Sequence, residues 1–108
     1  PQPLIMELVL TGEQMPIERF YDVGFINYLE QTPEQVRAQA NKLAVIIRDN
    51  APLSVVAAKA SVMAAMSLGC NEGIKEAQRL HKVVYASEDG IEGPLSFAEK
   101  RKPVWKGR

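Results

Sequence analysis

Between Pro52 and Leu68 the chain reads PLSVVAAKASVMAAMSL, a stretch of seventeen residues whose one charge is Lys59. Leu53, Val56, Ala57, Ala60, Met63 and Ala64 recur at helical spacing, and Ala58 and Ala65 widen that face. Alanine gives up no side-chain entropy in a helix and lets a neighbouring helix come close. A helix with so little polar surface has to be covered on most sides, by this chain or by another subunit.

The segments on either side are helical too. In Gln31-Thr32-Pro33-Glu34-Gln35, Thr32 is placed as N-cap, Pro33 as first helical residue and Gln35 as the reciprocal partner of a capping box. Val36, Ala40, Leu43 and Ile47 then make an apolar stripe, and Asn50-Ala51-Pro52 ends it. Downstream, Asn71 is placed to cap a further helix, with Glu72 in its first turn and Ile74, Ala77, His81 and Val84 along one face. Upstream, Leu4 to Leu10 is a short apolar run that periodicity assigns equally to a helix or a buried strand. Pro16 opens a short helix, and Gly24 is suited to the residue just past its end. Residues 25 to 29, FINYL, alternate apolar and polar and read as a short strand or extended segment. The fold class is therefore mainly α.

At 108 residues this is one domain. Aromatic residues are only 6%, so the core is aliphatic and thin, and subunit contacts would help it. Thirteen acids balance thirteen Lys and Arg, which removes any overall bias toward nucleic acid. Cys70 is the single cysteine, which fits a reducing compartment, and it lies in what reads as a turn. No apolar run is long enough to span a bilayer as a helix. No phosphate loop, paired-cysteine motif or metal-binding histidine pair is present. His81, the single histidine, lies on an apolar stripe and reads as a partly buried, hydrogen-bonded side chain. Glu7, inside an apolar run, reads as a helix-surface or capping acid rather than a buried one.

The C-terminal string carries more. Ser87-Glu88-Asp89, Glu92-Gly93, Phe97, Glu99-Lys100-Arg101, Pro103, Trp105 and Gly107-Arg108 together resemble the C-terminus of the enoyl-CoA hydratase/isomerase (crotonase) family. Met6-Glu7, Leu10-Thr11-Gly12, Val23-Gly24-Phe25-Ile26-Asn27, Asn50-Ala51-Pro52 and Ala58-Lys59 resemble other landmarks of that family, in family order. Phe20, His81 and Pro94 depart from the usual pattern, and Pro94 suggests a last helix that starts there rather than near Asp89.

The resemblance implies a helical C-terminal region of a crotonase (ClpP/crotonase-like) fold, residues 1 to 108, preceded in the family by a β-β-α spiral. That spiral supplies the backbone N–H groups that hold a thioester oxyanion, and usually one or two proton-moving carboxylates. Those positions fall ahead of Pro1, so the chain alone is expected to be inactive, with no catalytic residue among Glu7, Glu13 and Glu18. The abrupt apolar start fits a piece of a longer protein. The resemblance further implies acyl-CoA substrates, trimers or hexamers, a cytoplasmic location, no metal, and coenzyme A entering only as part of the substrate. Phe97 and Lys100 match positions that reach CoA in many members, where an aromatic ring suits adenine and a cation suits phosphate. Read by themselves, Phe97 is a core aromatic and Lys100 a solvated cation.

A different class of reading also stands. Lys100 to Arg108 holds five cations and no acid, and Lys100-Arg101-Lys102-Pro103 resembles an import or phosphate-binding patch on a non-enzymatic interaction module. The neutral remainder and the lone stacking residue Trp105 weigh against nucleic acid. On the first reading Glu92 to Arg101 belongs to a last helix or turn, and only Pro103 to Arg108 is a tail.

Overall fold

The computed structural model describes residues 2 to 108 and consists of six helices, with no strand among the described residues. They are α1 (Gln2–Thr11), α2 (Ile17–Asp22), α3 (Pro33–Asp49), α4 (Pro52–Leu68), α5 (Cys70–Tyr85) and α6 (Glu88–Ala98). The chain divides into two compact units, Pro1–Lys42 and Leu43–Arg108.

In the first unit the apolar run of residues 4 to 10 is helical. Glu7 is a surface acid, paired with Arg19 at 2.9 Å. Helix α2 ends where Gly24 takes φ +72°. The amide of Gly24 donates to the Tyr21 carbonyl at 3.0 Å and that of Phe25 to the Phe20 carbonyl at 2.8 Å. This is a Schellman ending, and its usual apolar contact is present: the Phe20 and Phe25 rings lie 5.6 Å apart. The expected strand at residues 25 to 29 is not formed. The Phe25 amide is committed to closing α2, the backbone at 25 to 27 bends, and the elements of this unit are helices that offer no edge to pair with. The capping box at α3 is present, with the Gln35 amide donating to Thr32 Oγ1 at 3.3 Å and the Thr32 amide to Gln35 Oε1 at 3.0 Å.

In the second unit α4 and α5 form the main helix pair. A Cβ placed on Gly73 would sit 2.6 Å from the Ala65 Cα, so only glycine permits this approach. The junction between them is the single residue Gly69, at φ +78° and ψ 171°. Gly69, and not Asn71, therefore stands at the start of α5, and Asn71 falls inside the first turn. Nor does the last helix wait for Pro94. Helix α6 begins at Glu88, because Ser87 Oγ accepts the Gly90 amide at 3.0 Å and Glu88 and Asp89 lie in the first turn, where the helix dipole favours acids. A proline inside a helix costs about 3 kcal/mol; the cap and acids offset part of this, and bonds from Asp89 and Glu92 to residues 101 to 107 tie the turns before Pro94 to the chain after it.

Buried apolar side chains are few: Leu4, Ala57 and Val84. Val56, Met63 and Met66 on α4, Ile74 and Tyr85 on α5 and Ile91 on α6 are among the large apolar side chains that stay exposed. Among the described residues no single helix is long and apolar enough to cross a membrane.

Candidate functional site

The C-terminal end of α6 and the nine residues after Glu99 contain both sequence-predicted ligand residues. Glu99 closes the helix. The Lys100 amide donates to the Phe97 carbonyl at 3.2 Å and the Arg101 amide to the Ser96 carbonyl at 3.0 Å. These are again the two bonds of a Schellman ending, but the left-handed position that glycine usually fills holds Lys100, at φ +54°. A non-glycine residue there carries backbone strain of about 1–2 kcal/mol.

The backbones of Phe97 and Lys100 are thus joined at one helix end. Phe97 is 86% exposed, so it is not a core aromatic. Lys100 is exposed as well.

The segment after Lys100 is an ordered arm rather than a tail, because carboxylates on α6 take its amides. Asp89, only 4% exposed, accepts the Lys106 amide at 2.7 Å and the Gly107 amide at 2.9 Å. Glu92 accepts the Val104 amide at 2.8 Å and holds the Arg101 guanidinium in a two-pronged pair, with Nη2 to Oε2 at 2.9 Å. Arg101 Nε also reaches Glu99 at 2.6 Å. Trp105 donates its indole N–H to the carbonyl of Asp49, the last residue of α3, at 2.9 Å. Its ring lies against Gly93, where an added Cβ would come within 3.6 Å of it.

This arrangement also settles the charge question. Of the five cations after Glu99, Arg101 pairs with Glu92 and Glu99, while Lys106 and Arg108 pair with Glu88. Lys100 and Lys102 have no ion-pair partner among the described residues. The Arg101 guanidinium, and after it the Val104 amide, lower the Glu92 carboxyl to about 2. Lys106 lowers Glu88 in the same sense. The groove of about 580 Å³ between α6 and the arm is lined by Glu88, Asp89 and Glu92, and all three acids are engaged by the arm.

His81 is half-buried and tilted against Tyr85, with ring centroids 6.2 Å apart. The two lie in a second groove, of about 460 Å³, with Ile74, Ala77, Gln78 and Lys82. Cys70 is exposed in the first turn of α5. Sequence reasoning used Asp89, Glu92 and Arg101 as family landmarks, and Arg101 as part of a basic patch, but gave the two acids no part in fastening the residues after α6. The available signal was two acids three residues apart, one turn of helix, facing cations further along the chain.

The helical fold of this chain has close counterparts among solved structures. A family model described as enoyl-CoA hydratase/isomerase matches residues 1–108, and the chain belongs to that family. It is 37% identical to a carnitinyl-CoA dehydratase of Proteus mirabilis (strain HI4320), over all of this chain and 42% of that protein. A carnitinyl-CoA dehydratase of Salmonella typhi is 35% identical over the same shares. Among solved structures, an enoyl-CoA hydratase from Mycobacterium tuberculosis H37Rv superposes with a TM-score of 0.90 at 35% identity. A probable enoyl-CoA hydratase/isomerase from Mycobacterium abscessus gives 0.88 at 38%. Each match covers the whole of this chain and 42% of the other. The chain spans less than half the length of these relatives.

Proposed function

We propose that this chain is the helical C-terminal part of an enzyme acting on acyl-CoA thioesters, and that it serves subunit assembly and closure over the CoA end of the substrate. Phe97 offers its ring to adenine and Lys100 its ammonium to phosphate. The observation that carries this reading is the end of α6, where three of the five cations after Glu99 are spent on acids and Lys100, beside an exposed Phe97, has no ion-pair partner among the described residues. The same pairing weakens the reading as a basic-tailed interaction module. The exposed apolar side chains of α4 and α5 support self-association, since patches of this kind mark contact surfaces, and the family resemblance makes trimers or hexamers the expected form. One exposed, unpaired cysteine accords with a cytoplasmic location.

Two measurements on the chain alone test this. Mixed with an enoyl-CoA, it leaves the enoyl absorbance unchanged, because the oxyanion donors and proton-moving carboxylates belong to the part of the enzyme that precedes it. By light scattering at micromolar concentration it runs as an oligomer. Measurable hydration, or a strictly monomeric species, overturns the respective half of the proposal.

A further inference from the structure

Two helices in this chain end in the same hydrogen-bond pattern, and they meet its requirements differently. At α2 glycine occupies the left-handed position, and an apolar contact, Phe20 against Phe25, joins the residue three back from the cap to the residue two beyond it. At α6 the left-handed residue is Lys100, and the pair equivalent to the two rings is Ser96 and Arg101, a hydroxyl and a guanidinium. The ending therefore lacks its usual residue, and it lacks the ring contact seen at α2.

In their place stands Glu92. One carboxylate oxygen accepts the Val104 amide, and the two oxygens together grip the Arg101 guanidinium. Glu99 takes Arg101 Nε, and the Lys102 carbonyl accepts from Nη1 at 3.2 Å. A two-pronged carboxylate–guanidinium pair fixes direction as well as distance. It pins the residue directly after Lys100 to a point two turns back on α6, so the backbone at Lys100 has nowhere to relax. A strained residue persists where its surroundings over-determine it, and such residues cluster at ligand sites.

We propose that Glu92, acting through Arg101, is a positioning residue that holds the Lys100 backbone left-handed and so sets the approach of its ammonium to the phosphates of a CoA thioester. This rests on the CoA contact assigned above to Lys100. Glu92 itself touches no substrate. Its carboxylate is consumed by Arg101 and Val104, and its effect reaches the ligand through the backbone of residues 100 and 101.

The test uses the complete enzyme, with crotonyl-CoA and the matching N-acetylcysteamine thioester, which has the acyl group and thioester but neither phosphate nor adenine. Glu92→Gln keeps the size of the side chain and removes its charge. It is expected to raise the KM for crotonyl-CoA about fivefold to tenfold, to leave kcat within about twofold, and to leave the truncated thioester unaffected; such a KM change corresponds to about 1 kcal/mol of binding. Lys100→Gln gives the same pattern, and the double variant adds little beyond either single one, because both act on one contact. In the chain alone, the HN–Hα coupling and Cα shift of Lys100 report φ directly, and Glu92→Gln moves both away from left-handed values. Arg101→Gln serves as a second route if Glu92→Gln folds poorly. If Lys100→Gln raises KM while Glu92→Gln and Arg101→Gln leave it unchanged, the positioning role is overturned and the CoA contact stands. If Lys100→Gln also leaves KM unchanged, the contact falls, and this inference with it.

Discussion

The ends of α2 and α6 close with the same pair of backbone hydrogen bonds, from the amides of the first and second residues past the cap. The first end is built for rest. Gly24 takes its positive φ without penalty, and two phenylalanine rings cover the turn. The second is built under load, with a lysine in the glycine position and an ion pair in place of the rings. One backbone solution thus serves two purposes. At α2 it turns the chain, and at α6 it presents a cation. The difference shows what holds each end: apolar contact in one case, charge in the other.

Acid separates the two most strongly. Glu92 is held at about 2 against an ordinary value of 4.5, first by Arg101 and then by the Val104 amide. A carboxyl depressed in the folded state contributes stability that is complete above its unfolded value and is lost as pH falls through the folded one. The arm should therefore stay fastened above about pH 5 and come loose between roughly pH 4 and 2. Glu88, lowered by Lys106, follows in the same direction. The chain has one tryptophan, in the arm itself, so its emission reports release. The expected result is a red shift of Trp105 fluorescence on acidification, ahead of any loss of far-ultraviolet helical signal. The Phe20–Phe25 end involves no carboxylate in its closure, and amide exchange at Phe25 should not change over the pH range in which Val104 loses protection. Simultaneous loss at both ends would show that the arm has no separate electrostatic fastening.

Substitution at the left-handed residue gives the next largest contrast. At Gly24, alanine meets no steric contact within 4 Å, so its cost is conformational. Left-handed strain of about 1–2 kcal/mol, less the roughly 0.5 gained from a stiffer unfolded chain, predicts a loss of about 1 kcal/mol for Gly24→Ala. Lys100→Ala should change stability by less than about 0.5 kcal/mol, because that position already carries the strain of a Cβ. Urea titration of the two variants reads the difference, and equal losses would remove the distinction.

These contrasts also explain what was legible in the sequence. Thr32-Pro33-Glu34-Gln35 announced the start of α3 because a capping box is closed within four residues. Gly24 announced the end of α2 because glycine is the usual occupant of that position. Lys100 announced no helix end, since lysine has no preference for positive φ; it stood out only as a family landmark and as part of a basic patch. The arm was unreadable for a different reason. Its bonds join Asp89 to residues 106 and 107, and Trp105 to Asp49, across 17 to 56 positions. Composition saw cations and a proline there and implied a tail. The strand expected at 25 to 29 failed because alternation describes a face and supplies no partner for it. Pro94 misplaced the start of α6, since one breaker is weighed against a serine cap, two first-turn acids and the long-range bonds of Asp89 and Glu92 taken together. The aliphatic face of α4 was read as needing cover, and this chain does not supply it at Val56, Met63 and Met66, which are exposed.

The smallest effect is the most discriminating. Lys100→Gly restores the usual residue to the α6 ending. It relieves about 1 kcal/mol of left-handed strain and gives back roughly 0.5 through the freer unfolded chain, so the variant should be more stable by about 0.5 kcal/mol. Because the change also deletes the ammonium, CoA-thioester binding is expected to weaken as it does in Lys100→Gln, and a firmer fold alongside that loss is the expected mark of a strained residue retained for its side chain rather than for the fold. Loss of stability instead would mean that the lysine side chain contributes to packing or charge balance in the folded chain. Gain of stability with unchanged binding would make the strain an accident of the helix end. Only the combination of firmer fold and poorer binding places α6 on the functional side of its comparison with α2, and urea titration together with a crotonyl-CoA KM measures both.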